Sequence, residues 1–155
     1  MRIRLAELHE AAIVHDVMVR AFREYAAFAN PSSALRETVD DVRASMVRGG
    51  ALLAFSGDGP DGRAVGSVRF HAESELELLR LAVLPELRGS GVGSALVAHV
   101  ETIARERGYA AVRVYARSQQ PDNRPWWLAR GYEVDGHSER YGIADLRTHM
   151  LKPMR

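Results

Sequence analysis

Three alternating glycines stand between a strand-like apolar run and an amphipathic helical pattern near the middle of the chain. Gly89, Gly91 and Gly93 follow the run 76–84, and the helical pattern begins within the same segment. Glycine tolerates positive φ and carries no side chain, so successive backbone N–H groups can converge at the start of the helix. Because the helix macrodipole favours an anion there, the segment predicts a phosphate-binding turn, to which Arg88 adds a charged donor.

A sharp turn from strand to helix, without any ligand, is the simpler interpretation of an isolated glycine pair. Three alternating glycines after an arginine weaken that interpretation. Two other phosphate loops do not match, because a dinucleotide fingerprint needs Gly-x-Gly-x-x-Gly and a nucleotide P-loop needs Gly-Lys-Ser/Thr. Neither pattern occurs in residues 88–93.

The spacing of Arg88, Gly91 and Gly93 resembles the arginine/glutamine-x-x-glycine-x-glycine motif of the GCN5-related N-acetyltransferase (GNAT) family. The predicted order of elements is also similar to that family: strand, two helices, hairpin, long central strand, helix, strand and short helix. The resemblance implies acetyl-coenzyme A (acetyl-CoA) as co-substrate, whose acetyl group passes to a primary amine of a small molecule or peptide by direct attack in a ternary complex. It also implies that the pyrophosphate is held by Arg88, Gly89, Ser90, Gly91, Val92 and Gly93.

The central strand is the second cofactor-binding element that the resemblance implies. Leu81, Ala82 and Val83 are expected to offer backbone groups to the pantetheine arm and the acetyl carbonyl, and Asn123 is the counterpart of an asparagine beside the cofactor. A splay of the sheet beyond Val83 would leave N–H and C=O groups unpaired, which an amide-rich ligand can satisfy by adding like a strand. A plain core strand is compatible with this interpretation, because side chains can pack inward while the backbone faces the ligand.

Acetyl transfer to an alkyl amine needs a base, since such an amine resembles lysine, with a pKa of about 10.4, and is protonated at neutral pH. Glu77 lies on the central strand where several family members carry a glutamate that removes this proton, directly or through water. Glu75 shares its face by alternation. The alternative is that Glu73, Glu75 and Glu77 form a solvated strand end opposite basic residues, as charge runs usually do.

Trp127 stands where many family members have a tyrosine that protonates the leaving thiolate, four residues before the glycine of Gly131-Tyr132. An indole N–H is only a hydrogen-bond donor, so we predict that Trp126 and Trp127 serve packing or form a wall of the cofactor slot. A thiol has a pKa of about 8.5, so its thiolate can leave and take a proton from water. The missing phenol keeps a second function open, a non-catalytic acyl-CoA-binding regulatory or sensor module on the same fold.

Residues 1–155 are predicted to form one α/β domain, a mixed and mostly antiparallel sheet flanked by helices. Apolar stripes predict a first helix that ends at Asn30-Pro31 and a second helix from about Ser33 that Gly49-Gly50 stops. A glycine-rich connector then predicts an antiparallel hairpin. In the helix after the glycine loop, Glu101 is expected to point away from the apolar face.

Charge and composition exclude several classes of partner. The 21 basic and 20 acidic residues are interspersed and leave a formal net charge of +1, so no basic stripe points to nucleic acid. The six histidines lack ligand spacing and there is no cysteine, so no metal site is expected. No apolar run approaches the roughly 20 residues that span a bilayer, and the amino terminus lacks a signal-peptide core. We therefore expect a cytoplasmic protein without a membrane partner.

The acceptor pocket is expected between the first two helices and the late strands. Its candidate lining residues are Glu24, Tyr25, His71, Tyr141 and His149. None of them is distinctive, so the sequence does not identify the acceptor amine. Whether the chain forms a homodimer also stays open at this point.

Overall fold

The structure is a computed structural model that describes residues 1–27, 33–57, 62–117, 122–139 and 146–155. Over these residues it contains one mixed sheet with the strand order β1-β2-β3-β4-β5-β7-β6. The strands are β1 (Arg2–Leu5), β2 (Gly49–Phe55), β3 (Ala64–Ala72), β4 (Leu76–Val83), β5 (Ala111–Arg117), β6 (Glu133–Ser138) and β7 (Arg147–Pro153), and the α-helices are α1 (Ala11–Phe22), α2 (Val39–Val47), α3 (Val92–Glu106) and α4 (Arg124–Leu128). The predicted α/β fold is confirmed. The first helix ends at Phe22 and a 3-10 turn, Arg23–Tyr25, follows it, which is earlier than the predicted end at Asn30-Pro31; those two residues and the candidate Tyr141 lie outside the described residues.

Helices cover both faces of the sheet. A Cβ added to Gly66 of β3 would meet side-chain atoms of Val92 and Leu96 at 2.8 and 3.0 Å, so the strand approaches α3 closely on this face. Arg69, which points to the opposite face by strand alternation, lies 2.8 Å from the Glu37 carboxylate just before α2. The sheet therefore has an α3 face and an α1/α2 face.

Among the described strands, β4 and β5 form the one parallel pair, and they pair over two residues only. The register joins Leu76 to Val112 and Glu77 to Arg113, whereas the other neighbouring strands are antiparallel. From residue 78 onward β4 keeps β3 on one side and has no strand on the other. The sequence places the splay beyond residue 83, and the structure corrects this, because the strands already separate after Glu77. We call the opening the β4–β5 gap.

A bulge in β4 lies beside this gap. The register joins Arg69 to Leu79 and Ser67 to Ala82, so β4 holds one residue more than β3 between these pairs. Arg80 takes up the extra length with a φ of +56°, a left-handed conformation that is uncommon for a residue with a side chain. Beyond the bulge the alternation shifts by one residue, so both Arg80 and Ala82 belong to the α1/α2 face.

Thr38 makes α2 begin later than the sequence predicts. Its Oγ1 accepts a hydrogen bond from the Asp41 N–H at 3.1 Å, and the Asp41 carboxylate accepts one from the Thr38 N–H at 2.9 Å. This capping box fixes the first turn of the helix at Val39. Ser33–Arg36, predicted as part of the same helix, forms a separate 3-10 turn.

The sequence predicts that Gly49 and Gly50 stop α2. In the structure they are instead the first two residues of β2. The helix ends at Val47. A Cβ added to Gly49 would overlap the backbone carbonyl of Phe70 in the neighbouring strand. These glycines therefore serve a close approach between strands, which the local sequence does not distinguish from a helix stop.

Glu101 is buried in α3, contrary to the prediction, with an exposed fraction of 7%. Tyr132 donates its O–H to one carboxylate oxygen at 2.9 Å, and Lys152 Nζ lies 3.1 Å from the other. Burial, and then the negative charge of Glu101, raise the pKa of Tyr132. A carboxylate can be buried here because it is both paired and hydrogen-bonded, and it links α3 to β7.

Candidate functional site

The β4–β5 gap contains a cavity of about 600 Å³. This volume is typical of small-molecule sites. Its walls are residues 78–83 of β4, residues 114–117 of β5, the loop before α3, the end of α1, and α4 with the residue before it. Because the two strands separate here, backbone groups that would otherwise pair in the sheet can reach a ligand.

The glycine loop closes one end of this cavity. Gly89 and Gly91 have φ angles of +77° and +93°, and Gly91 is the N-cap of α3. The N–H of Ala95 bonds to the Gly91 carbonyl at 3.0 Å, so the N–H groups of Val92 and Gly93 precede the first helical bond and stay available. A Cβ added to Gly89 or Gly91 would meet no atom within 4 Å. Open space and available N–H groups at a helix start fit a diphosphate.

Arg88 lines the cavity, but its guanidinium is bonded to the end of α1. Nη2 donates to the carbonyl oxygen of Ala21 at 2.6 Å, Nη1 is paired with the Glu24 carboxylate, and the guanidinium carbon lies 5.6 Å from the centre of the Tyr25 ring. We call these contacts the Arg88 latch. A phosphate would have to compete with them for the guanidinium, and Glu24, a predicted pocket residue, belongs to the latch.

The remaining predicted loop residues have different surroundings. The Ser90 hydroxyl donates to the carbonyl oxygen of Leu87, and Ser90 does not line the cavity. Asn123 lines it and is the N-cap of α4. The structure thus leaves Ser90 outside and brings to one cavity Arg88, Gly89, Gly91, Val92, Gly93 and Asn123.

Leu81, Ala82 and Val83 line the middle of the cavity. Ala82 pairs with Ser67 and Val83 with Gly66 of β3, whereas β5 is paired with β4 only at residues 76 and 77. On the β5 side their backbone groups have no strand partner and need water or a ligand. Their contact with a pantetheine arm stays a prediction.

Trp127 packs against other aromatic rings and also lines the cavity. It is 7% exposed, and its ring meets those of Trp126 and Tyr132 edge-on at centroid distances of 4.8 and 5.0 Å. Arg130 lies over the Trp126 ring at 3.5 Å and donates to the Ser94 hydroxyl at 2.7 Å. These contacts hold α4 against the start of α3 as one wall of the cavity.

Glu77 lies at the closed end of the gap, on the last residue of β4 that pairs with β5. Its Oε2 is 3.2 Å from Nδ1 of His71, and Nε2 of His71 is 2.6 Å from the Ser45 hydroxyl. Burial, and then the charge of Arg48, lower the pKa of His71, so the neutral imidazole can donate its Nδ1–H to the carboxylate. Glu77 does not line the cavity, although the next two residues of β4 do.

Glu73 and Glu75 fit the alternative interpretation of a charged strand end. Glu73 is paired with Arg48 at 2.7 Å, and Glu75 accepts hydrogen bonds from Nε and Nη2 of Arg113 at 3.0 and 3.1 Å. Neither carboxylate lines the cavity. Within the run of three glutamates, Glu77 is therefore the one next to the gap.

Of the other predicted acceptor-pocket residues, Tyr25 lines the cavity. Burial raises the pKa of its phenol. His149 does not line the cavity and instead meets the Tyr115 ring edge-on at 4.9 Å, with Nε2 lying 3.1 Å from the Ser138 hydroxyl. His71 is likewise outside, against Glu77.

Four arginines line the cavity, and the sequence analysis missed three of them: Arg80, Arg117 and Arg130. No aspartate or glutamate of the described residues lines it. Arg80 could have been found, because it is a charged residue inside an apolar strand run, where charge marks either a strand edge or a site. Arg130 carried no such signal.

Metal-ligand clusters and membrane-spanning helices are both absent from the described ranges. No group of three or more His, Asp or Glu side chains is arranged to hold a metal ion within those ranges. None of the helices described is long and apolar enough to cross a membrane.

Comparison with known proteins identifies a family. A family model described as "Acetyltransferase (GNAT) family" matches residues 16–132, which is most of the chain. Among curated proteins, the aminoalkylphosphonate N-acetyltransferase of Salmonella typhimurium is 30% identical over 80 residues, which cover 47% of this chain and 52% of that protein. The match thus spans about half the length of this curated relative.

Solved structures share the fold over nearly the whole chain. The PaiA N-acetyltransferase from Thermoplasma acidophilum, in complex with coenzyme A, has a TM-score of 0.79 at 18% identity, with 99% of both chains covered. An aminoglycoside 6'-N-acetyltransferase complexed with coenzyme A has a TM-score of 0.77 at 15% identity, with 100% of this chain and 98% of the other covered. At these identities the likeness is one of fold.

Arg88→Met is expected to loosen the glycine loop, because it removes the hydrogen bonds to Ala21 and Glu24 but keeps an apolar stem. Loss of a latch worth about 0.5 to 1.5 kcal/mol should speed amide exchange in the first turn of α3, where the Ala95 N–H bonds to the Gly91 carbonyl, by about 2- to 10-fold. Hydrogen-exchange mass spectrometry measures this. Arg20→Met, which removes an exposed pair with Asp16 on α1, is the control and should leave the loop unchanged. Equal exchange in both variants would contradict the latch.

Proposed function

The chain belongs to the GNAT acetyltransferase family, and we propose that it transfers the acetyl group of acetyl-CoA to a primary amine of a small molecule or peptide. Both substrates are bound together, and the amine attacks the thioester directly in a ternary complex. The β4–β5 gap carries this proposal, because one cavity there combines unpaired strand backbone with the start of α3. The Salmonella typhimurium relative, an aminoalkylphosphonate N-acetyltransferase, supports a small amine as acceptor.

The chain binds acetyl-CoA mainly through its backbone. The N–H groups of Gly91, Val92 and Gly93 hold the pyrophosphate at the start of α3, and residues 81–83 pair with the amides of the pantetheine arm as an added strand does. Acetyl-CoA supplies a thioester carbonyl that is already activated towards attack by an amine. Holding the two reactants in one cavity then lowers the entropic part of the barrier.

Glu77 is our candidate for the base that removes a proton from the acceptor ammonium. It lies where the gap closes, and it is 23% exposed on the face shared with His71. Because the carboxylate does not line the cavity, the proton reaches it through water. The neutral His71 holds the carboxylate in place with its Nδ1–H.

The thiolate of coenzyme A leaves without a phenol at position 127. Trp127 has only an indole N–H, which does not release a proton near neutral pH. A thiol pKa of about 8.5 makes the thiolate a tolerable leaving group that water or the departing ammonium can protonate. Trp127 acts through packing, as its contacts with Trp126 and Tyr132 indicate.

Release of thiol from acetyl-CoA tests the proposed function. Purified protein is mixed with acetyl-CoA and a panel of amino acids, polyamines, aminoglycosides and peptide amino termini. We expect free thiol, measured with a thiol reagent, together with an acetylated amine identified by mass spectrometry. A regulatory or sensor module would bind acetyl-CoA in a calorimeter and release no thiol with any amine. That result would contradict the enzyme function and favour the sensor function.

Gly91→Val is expected to abolish acetyl-CoA binding, because the new side chain enters the open space at the start of α3. Gly108→Val is the matched control, since Gly108 also has a positive φ, +78°, and no atom within 4 Å of an added Cβ, but lies beyond the opposite end of α3. Both variants carry a similar backbone strain of about 1 to 2 kcal/mol. Calorimetry should therefore detect binding only in the control. Unchanged affinity in a folded Gly91→Val protein would remove the pyrophosphate assignment.

Glu77→Gln is expected to lower kcat/KM by roughly 10²- to 10⁴-fold at neutral pH, the usual range for a lost general base. Activity should recover partly at alkaline pH, where free amine accumulates, and acetyl-CoA affinity should stay unchanged. Glu75→Gln is the control, because Glu75 is engaged with Arg113 outside the cavity. If the Glu77 variant keeps full activity across the pH range, the base lies elsewhere and Glu77 belongs to the charged strand end.

A further inference from the structure

Two arginines share one carboxylate beneath the cavity, on the α1/α2 face. Glu37 Oε1 accepts hydrogen bonds from Arg69 Nη2 at 3.0 Å and from Arg80 Nε at 2.6 Å. Glu37 Oε2 lies 2.8 Å from Arg69 Nη1. Burial alone raises the pKa of Glu37, but the hydrogen bond from Arg69 and the charges of both arginines outweigh burial, so the pKa is lowered and the carboxylate is ionised.

Arg69 is the buried arginine of this cluster. Its side chain is 2% exposed, so its positive charge is almost fully removed from water. Nη1 is close to Glu37 but out of line for a hydrogen bond, and the buried Nε has no hydrogen-bond acceptor. A buried guanidinium needs its counter-charge. One carboxylate thus lies in direct contact with two guanidinium groups, so these three side chains together keep an excess positive charge.

Arg80 brings that charge to the cavity, whose wall it forms. Its Nε donates to Glu37 and its Nη2 to the Ser33 hydroxyl at 2.7 Å, whereas Nη1 has no hydrogen-bond partner within the described ranges. The side chain is 25% exposed. Two anchoring bonds and the bulge conformation at φ +56° hold the guanidinium in one orientation, and backbone strain of this kind is most often retained at binding sites.

The position of Arg80 separates it from the pyrophosphate site. It lies eight residues before Arg88, on the α1/α2 face, whereas the glycine loop leads into α3 on the other face. Phe22 of α1 and Tyr25 of the 3-10 turn that follows it also line the cavity. With no Asp or Glu in the described lining, a cationic acceptor would meet only like charge there, and an anionic group would meet Arg80.

We propose that the acceptor amine also carries an oxyanion, a carboxylate or a phosphonate, which binds the free Nη1 edge of Arg80. This inference rests on the proposed acetyl transfer and names its substrate class. The chemistry of the transfer is unchanged: the base takes one proton from the ammonium, the nitrogen–carbon bond forms, the carbon–sulfur bond breaks, and the second proton that the nitrogen loses is balanced by the one that the sulfur gains. Arg80 is a specificity-determining residue in this scheme, because it orients the acceptor and takes no part in proton transfer.

A matched series of amines tests the inference. β-Alanine, 2-aminoethylphosphonate, ethanolamine and ethylenediamine present the same primary amine two carbons from a carboxylate, a phosphonate, a neutral hydroxyl and a second amine. We expect kcat/KM for at least one anionic acceptor to exceed that for ethanolamine by about 10- to 100-fold, the worth of one charge-assisted hydrogen bond. Ethylenediamine should be the poorest. The first two arms distinguish a carboxylate from a phosphonate.

Substitution of Arg80 links the preference to this residue. Arg80→Met should lower kcat/KM for the anionic acceptor by about 10- to 100-fold more than kcat/KM for ethanolamine, so the ratio of the two values is the readout. Arg80→Lys keeps the charge without the planar fork, and its ratio should fall between those of the wild type and Arg80→Met. Arg43→Met, which removes an exposed pair with Asp40 on α2, is the control with wild-type preference. Melting temperatures verify that all variants are folded.

Two results would overturn the inference while the proposed function stands: neutral or cationic amines used as well as anionic ones, or an unchanged preference in Arg80→Met. Calorimetry of β-alanine and 2-aminoethylphosphonate with the coenzyme A complex separates the remaining failures. Binding that depends on Arg80 without any thiol release removes the proposed acetyl transfer and keeps the anion site. Absence of both binding and thiol release removes the site as well.

Discussion

Backbone hydrogen bonding along β4 is the constraint on which the rest of the structure depends. A central strand normally pairs on both edges, and a buried N–H or C=O without a partner costs about as much as a lost hydrogen bond. Beyond Glu77 the strand has lost β5, yet Leu78 and Ala82 remain buried. Such a strand is stable only with water or a ligand along its open edge, so the cavity follows from the topology of the sheet.

Two polar links brace the structure around this opening. The Arg88 latch ties the loop after β4 to α1, and the buried Glu101 ties α3 to Lys152 of β7, the strand that pairs with β5. The loop before α3 is therefore connected to α1, and α3 itself is connected to the β5–β7 side of the divided sheet. The two contacts hold elements on either side of the opening in place.

Much of the fold and of the cavity lining could be predicted, because the signals there are local. The alternating glycines before α3 and the turn-rich hairpin between β2 and β3 can be recognised within about ten residues. The predictions that failed concern residues whose environment depends on partners far away in the sequence. Glu101 is buried because Tyr132 and Lys152 bond to it. Arg80 has its unusual backbone conformation because the register with β3 requires a bulge. The prediction that Gly49-Gly50 stops a helix failed for another reason. A helix stop and a close approach between strands both favour glycine, so the residue type does not distinguish them.

A gap between strands passes through a sheet and so has two mouths. Lining residues lie on both sides of it, with Val83 against the start of α3 and Tyr25 in the turn after α1. Two molecules that enter from opposite faces of the sheet would meet at its plane through separate openings. A mutation on one side of the sheet would then change the residence time of the molecule on that side more than that of the other.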